Sequence, residues 1–271
     1  KEQAMFLING KSIEHVSVKD RSFQYGDGCF TTMLALDGAI QDWPLHIERM
    51  ERCLDLLGIE HPNWHILRET LDKMSATSAK VGLKLHVSRG EGGRGYSPTS
   101  VSAPTITLSE FPFPPHYEIM QSNGIELGVC EQRLGHNPLL AGHKHNNRLE
   151  QVLLKSEMDR KGYVDGLTLD IDGNVIESTM ANVFWVKDNQ VYTPSLAKSG
   201  VAGVMRTVVL DLLPEIGIDV IIGEFALSHV LEADELFLTN SLLRVAPIVK
   251  VNQAPFPIGK ITTRIQEYLK Q

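Results

Sequence analysis

The sequence predicts a mixed α/β fold in two domains, residues 1–113 and 114–271. Three observations carry that reading. Short strand patterns and amphipathic helix patterns alternate along the whole chain. The run Phe111-Pro112-Phe113-Pro114-Pro115 breaks any regular element and separates two zones, although the same run also fits a loop inside one domain. The 271 residues are 42% hydrophobic and 22% charged, a balance that allows a substantial core and argues against disorder.

In the first zone, residues 5–9 read as a strand ended by Asn9-Gly10. A loop with Gly26-Asp27-Gly28 leads into a strand over 29–33 and the turn Asp37-Gly38. Residues 45–57 form a helix candidate with Ile47, Met50, Leu54 and Leu57 on one face. Pro44 suits its first turn and Gly58 the position after its end. Residues 84–88 and 105–109 read as strands. In the second zone a strand over 125–130 precedes a loop over 133–142. The next helix is expected to start at Asn147, because Asn147-Arg148-Leu149-Glu150 has the capping-box form, with Leu149, Val152 and Leu153 as its apolar face. Residues 166–171 and 174–178 read as a hairpin around Asp172-Gly173, and 182–187 with 190–193 as another around Asp188-Asn189. Val204, Met205, Val208, Val209 and Leu212 mark a helix that Pro214 should stop. Residues 236–240 read as a late buried strand.

A formal net charge of -7 argues against a general nucleic-acid binder but leaves room for a small anionic substrate. Cys29, Cys53 and Cys130 are far apart and form no CxxC pair. Neither a zinc knuckle nor a disulfide framework is indicated, and a reducing cytoplasm fits best. No run approaches 18 apolar residues, so no membrane span is expected. Residues 1–4 read as additions ahead of a natural start at Met5.

Five segments could carry chemistry. Lys144 sits in Gly142-His143-Lys144-His145-Asn146-Asn147-Arg148. A lysine acts as nucleophile or base when burial or nearby cations lower its pKa, though most lysines are simply solvated. His143 and His145 could form a metal pair, but no Asp or Cys nearby completes a set. Glu177 ends a predicted strand and fits either an exposed edge carboxylate or a partner for a protonated ring nitrogen. Arg49 fits either a surface ion pair or a phosphate clamp. The segment Gly200-Val201-Ala202-Gly203-Val204-Met205-Arg206 enters a helix and could offer backbone N–H groups to a phosphate. Residues 89–96, with two arginines and four glycines, fit a flexible surface turn or a loop closing on an anion. Neither GxxxxGK[ST], GxGxxG nor GxSxG occurs in the roles those motifs need.

Taken in order, these segments resemble the fold-type IV pyridoxal-phosphate (PLP) enzymes. That family includes branched-chain and D-amino-acid aminotransferases and the aminodeoxychorismate-lyase branch. The matching stretches are Tyr25-Gly26-Asp27-Gly28-Cys29-Phe30-Thr31-Thr32, His46-x-x-Arg49, residues 89–96, Lys144-x-x-Asn147-Arg148-Leu149, Glu177 with Asn182-Val183-Phe184, Gly203-Val204-Met205-Arg206, and Thr239-Asn240-Ser241. Residues 23–32, 88–97 and 133–145 look more like the lyase branch than the aminotransferases.

The resemblance implies two domains with PLP between them, in a homodimer. It implies that Lys144 binds the cofactor covalently and that Glu177 faces the pyridine nitrogen. Arg49, the amides of Val204 and Met205, and Ser241 would hold the phosphate, with Asn240 beside it. Arg94 and Tyr96 match positions that trap a substrate carboxylate from the neighbouring subunit in the D-amino-acid enzymes. There the second position is His, and Phe30 stands where they have Tyr, so a different substrate is implied. The implied reaction on that small-molecule substrate, aminodeoxychorismate, is loss of pyruvate by carbon–oxygen elimination. An aminotransferase of the same fold is the first alternative, a PLP carrier without turnover the second, and a metal- or anion-binding module at His143 and His145 the third.

Overall fold

The computed structural model describes residues 5–101 and 103–270; residues 1–4, read above as additions, lie outside the described residues. The chain divides into two units. One runs up to Pro114 and includes His143–Asn147; the other holds Pro115–Gly142 and the residues from Arg148 onward.

The first unit contains β1 (Met5–Ile8), α1 (Arg21–Tyr25), β2 (Gly28–Leu36), β3 (Ala39–Ile40), α2 (Trp43–Leu57), α3 (Trp64–Ser75), β4 (Lys80–Ser88), β5 (Gly92–Arg94), β6 (Ser97–Val101) and β7 (Thr105–Pro112). Its main sheet has the order β1-β7-β4-β2-β3, all antiparallel. Period-two alternation sorts its faces. Cys29, Met33 and Ala35 of β2 and Leu83, Leu85 and Val87 of β4 bury against Met50, Cys53 and Leu54 of α2 and Leu71 of α3. The even positions Phe30, Thr32, Lys84 and His86 therefore lie on the other face. Helix α2 has Pro44 in its first turn and ends on Gly58 at φ 68°, the left-handed conformation a glycine cap allows. Phe111 and Pro112 do not break structure as their composition suggests. They complete β7, opposite Gly82 and Val81, and the Phe111 ring covers Gly82. Among the described residues β1 pairs only as far as Glu110, so no described strand on that side needs the N–H that Pro112 lacks.

The second unit contains α4 (His116–Asn123), β8 (Ile125–Leu134), α5 (Leu149–Arg160), β9 (Gly166–Asp170), β10 (Val175–Ser178), β11 (Asn182–Lys187), β12 (Gln190–Pro194), α6 (Val204–Glu215), β13 (Val220–Gly223), α7 (Leu227–Leu231), β14 (Glu235–Asn240), β15 (Arg244–Val251), β16 (Ala254–Pro255) and α8 (Lys260–Leu269). Its mixed sheet has the order β10-β9-β8-β15-β14-β11-β12-β13, with β16 on β15. One side of it packs Leu127, Val183, Trp185 and Leu238 into a core. Phe184 and Phe237, stacked at 5.1 Å, pack with Met205 and Val209 of α6 and Ile265 of α8.

Two helix boundaries differ from the sequence reading. Asn147 does not cap α5, which begins at Leu149. The Asn147 side chain instead donates to Gly26 O at 2.9 Å, and Glu150 accepts from Gly135 N at 2.9 Å, so both halves of the capping box are committed elsewhere. Helix α6 runs through Pro214 to Glu215; in the last turn one missing N–H costs little continuity. The expected apolar face of α5 is also not buried: Leu149, Val152 and Leu153 are exposed, and Leu154 and Met158 pack inward.

Candidate active site

The segment carrying Lys144 belongs with the first unit, not with the residues after 114 as the sequence suggested. The reason lies at the edge of β2. Strand β3 covers only Ala35 and Leu36, leaving the start of β2 open on that side. Residues 143–147 fill it: Phe30 N donates to Lys144 O at 3.1 Å and Asn146 N to Gly28 O at 3.0 Å. The Asn146 side chain donates to Ser22 Oγ at 2.7 Å and to Val87 O at 3.3 Å. Position 28 must be glycine, since a Cβ there would stand 2.0 Å from Val87 O. This pairing sets the Lys144 Nζ 4.6 Å from the centroid of the Phe30 ring.

On the opposite face of the same sheet, α2 offers His46 and Arg49 one turn apart. Both are buried, which excludes the surface ion pair as a reading of Arg49; Arg52 is the residue that pairs with Glu48. Arg49 Nη2 donates to Thr31 Oγ1 at 2.8 Å, and Thr31 Oγ1 lies 2.6 Å from His46 Nδ1.

Residues 89–96 are more structured than a loop. Strands β5 and β6 form a hairpin whose backbone is held by a residue that sequence reasoning missed. The buried Arg21 donates to the carbonyls of Gly92, Gly95 and Tyr96 and to Asp27 at 3.0 Å. Arg89 shares that carboxylate at 2.6 Å, so it is structural. The only sequence signal for Arg21 was its place just ahead of the Gly26-Asp27-Gly28 loop. Arg94 is exposed on β5, and Tyr96, 87% exposed, follows it and meets Tyr25 edge-on at 5.4 Å. They sit on a different element from Phe30.

In the second unit Glu177 is buried on β10, not an exposed edge carboxylate, and its Oε1 accepts Val201 N at 2.9 Å. Gly200, at φ 90°, lies so close that a Cβ would stand 2.6 Å from Glu177 Oε1. Asn182 then bridges the next turn, donating to Val201 O at 2.8 Å and accepting Gly203 N at 3.1 Å. Gly142 adds a third support by pairing with Gly200 O and Ala202 N. The pinned loop delivers the amides of Val204 and Met205 at the start of α6, where no side chain caps the helix. Arg206 lies beside this start. Burial pushes its guanidinium down and the Glu177 charge opposes that shift. Asn240 Oδ1 accepts Leu242 N and Leu243 N, so its carbonyl is committed to the turn carrying Ser241.

These residues fit a phosphate-bearing cofactor. Among the described residues, the buried Arg206 Nε and Thr239 Oγ1 lack a hydrogen-bond partner, and Thr239 stands in register with Asn182. Two orphaned polar atoms and an uncapped helix N-terminus suit an anion with several acceptor oxygens. The cluster His136, Asp170 and Asp172, which sequence reasoning did not single out, also has metal-donor chemistry. Asp170, however, is already bonded to His136, Asp172 N and Asn174 N.

The class of protein follows from the sequence match: the chain belongs to the amino-transferase class IV family, whose model matches residues 28–251. It is 53% identical over 269 residues to an aminodeoxychorismate lyase of Vibrio harveyi, covering 97% of this chain and 98% of that one. The crystal structure of 4-amino-4-deoxychorismate lyase from Pseudomonas aeruginosa matches with a TM-score of 0.92 and 35% identity, over 98% of each chain. The branched-chain amino acid aminotransferase of Escherichia coli shares the fold, with a TM-score of 0.87 at 22% identity.

Proposed function

We propose that this chain converts 4-amino-4-deoxychorismate to 4-aminobenzoate and pyruvate, a carbon–oxygen elimination that serves folate biosynthesis, with PLP as cofactor. The observation that carries the reading is the 53% identity, across nearly the whole of both chains, to a lyase of that name. When bound, PLP supplies an aldehyde for amines and a ring that accepts the electron pair left by a departing proton. Lys144 provides the amine that holds the cofactor. It also takes the proton from the amine-bearing carbon of the substrate. Loss of that proton lets the adjacent carbon–oxygen bond break with its electron pair on oxygen; the departing enolate takes up a proton to become pyruvate, and the ring becomes aromatic. Glu177, buried and anchored to Val201 N, would hold a proton on the cofactor's ring nitrogen. Arg49, the Val204 and Met205 amides and Ser241 would hold the phosphate, with Asn240 fixing the Ser241 turn. Phe30 packs beneath the Lys144 amine.

The active form in this reading is a homodimer. Leu139, Leu149, Val152 and Leu153 expose apolar surface that a second copy would cover. Arg94 and Tyr96, projecting on an exposed hairpin, would then serve a substrate carboxylate in the neighbouring subunit. The cytoplasm suits the chain, whose three cysteines are buried and in no disulfide. Among the described residues no helix is long and apolar enough to cross a membrane.

The test is turnover of aminodeoxychorismate by PLP-loaded protein in buffer without a keto acid. Equal amounts of 4-aminobenzoate and pyruvate over many turnovers are expected. No 4-aminobenzoate, with rapid amine exchange between amino acids and 2-oxoglutarate, would replace the lyase reading with a transaminase.

A further inference from the structure

The turn that joins β10 to β11 is held by a buried acid that the chemistry above does not use. Asp165, just ahead of β9, is fully buried. Its Oδ1 accepts from Gly166 N at 2.7 Å, Thr179 N at 2.9 Å and the Thr179 hydroxyl at 2.6 Å. Ser178 closes the turn, its Oγ accepting Ala181 N at 2.9 Å and its own N donating to Ala181 O at 2.8 Å. Met180 O, at the tip, accepts from Asn240 Nδ2 at 3.3 Å. Separate parts of the proposed cofactor site hang on this turn. Glu177 comes directly before it. Asn182 comes directly after it and bridges Val201 O and Gly203 N. Asn240 reaches it from β14 and fixes the residues around Ser241.

We propose that Asp165 is a positioning residue: by fixing Thr179 it sets the Glu177 carboxyl toward the cofactor's ring nitrogen and the Asn240–Ser241 turn toward its phosphate. Burying an acid is costly unless donors surround it, and here the donors come from the site's own turn. Burial pushes the Asp165 carboxyl up, and the Ser178 and Thr179 hydroxyls with the Gly166 and Thr179 amides oppose that without cancelling it. Its Oδ2 is buried and has no hydrogen-bond partner among the described residues. Both facts suit the neutral acid, which keeps Oδ1 as an acceptor and spares the interior an ion. What matters is therefore the accepting oxygen rather than the charge, and asparagine has the same shape and the same acceptor. Removing the acceptor releases the Thr179 hydroxyl and leaves the longer bond from Thr179 N to Gly166 O, 3.2 Å, to tie the turn to β9. The Glu177 carboxyl, two residues away, then loses its fixed direction.

The proposal rests on the reading of Glu177 as the partner of the ring nitrogen. The experiment loads wild type, Asp165→Ala, Asp165→Asn and Glu177→Gln with PLP isotopically labelled at that nitrogen and records its NMR shift, which separates a protonated ring from a neutral one. Wild type and Asp165→Asn should show the protonated shift, and Asp165→Ala a shift moved toward that of Glu177→Gln. PLP should also bind Asp165→Ala more weakly in equilibrium titration, with Asp165→Asn close to wild type. In turnover, Asp165→Ala should lose roughly tenfold to a hundredfold in kcat, the scale set by a misdirected group. Adding Glu177→Gln to it should cost little more, because both changes remove the same interaction. A purely structural role would lower the melting temperature of Asp165→Ala and leave the nitrogen shift of its loaded fraction at the wild-type value; that result overturns the proposal, as does an Asp165→Asn variant as impaired as the alanine one. If Asp165→Ala does not fold, Thr179→Val, which removes only the hydroxyl bond, carries the test. It should move the shift part of the way, and an unmoved shift overturns the proposal. A Glu177→Gln shift equal to that of wild type would instead sink the assignment of Glu177.

Discussion

Glu177 Oε1 accepts the backbone N–H of Val201 at 2.9 Å, so a buried acid and the loop that opens α6 are held as one piece. Glu177→Gln keeps an acceptor for Val201 N while removing the charge. The variant should fold and bind PLP but turn over at least roughly tenfold more slowly, because a neutral amide does not favour a protonated ring nitrogen. Steady-state kcat on the loaded variant is the check, and wild-type turnover would remove Glu177 from the mechanism.

Gly200→Ala attacks the same junction from the backbone. The position has φ 90°, and the added Cβ would meet Glu177 Oε1 at 2.6 Å. A destabilisation of about 1–3 kcal/mol is expected in denaturant unfolding, together with weaker PLP binding. A variant as stable as the wild type would show that this loop yields more readily than its packing implies.

Arg49 should govern phosphate affinity. Arg49→Ala removes a charged donor worth about 1.5–3 kcal/mol, so PLP should bind at least roughly tenfold more weakly. Thr31→Val, which deletes the oxygen that orients Arg49 and bridges to His46, should produce a smaller loss of the same kind. Equilibrium titration with PLP measures both, and unchanged affinity in Arg49→Ala would refute the role.

Asp170 links stability to acid. Burial raises its carboxyl, but the hydrogen bonds from His136, Asn174 N and Asp172 N outweigh that and leave it below its ordinary value. A depressed folded pKa contributes stability that is complete above the unfolded value, about 3.9, and lost as pH falls through the folded one. Asp170→Asn should therefore flatten the acid limb of a stability–pH curve. An identical limb in the variant would show that other carboxylates set it.

Much of this was legible in the residues because short-range rules decide it. The α2 stripe with Pro44 and Gly58, and the Asp188-Asn189 turn with both residues at positive φ, follow from local chemistry. The proposed site residues Lys144, Glu177 and Arg49 stand out in the sequence by residue type alone, and their surroundings do not. Asn147 looks like a cap in sequence, yet a long-range bond to Gly26 O takes it. Lys144 looks like part of the later domain, yet the open edge of β2 recruits its segment from more than a hundred residues away. Arg21 carried no motif signal, since what marks it is burial, a tertiary fact.

The proposed chemistry turns on the amine of Lys144. Borohydride reduction of PLP-loaded protein, followed by peptide mapping, tests it most directly. The predicted result is one phosphopyridoxyl label, on Lys144, with the yellow colour of the protein lost on reduction. A label on Lys84 or any other lysine in place of Lys144 would contradict it.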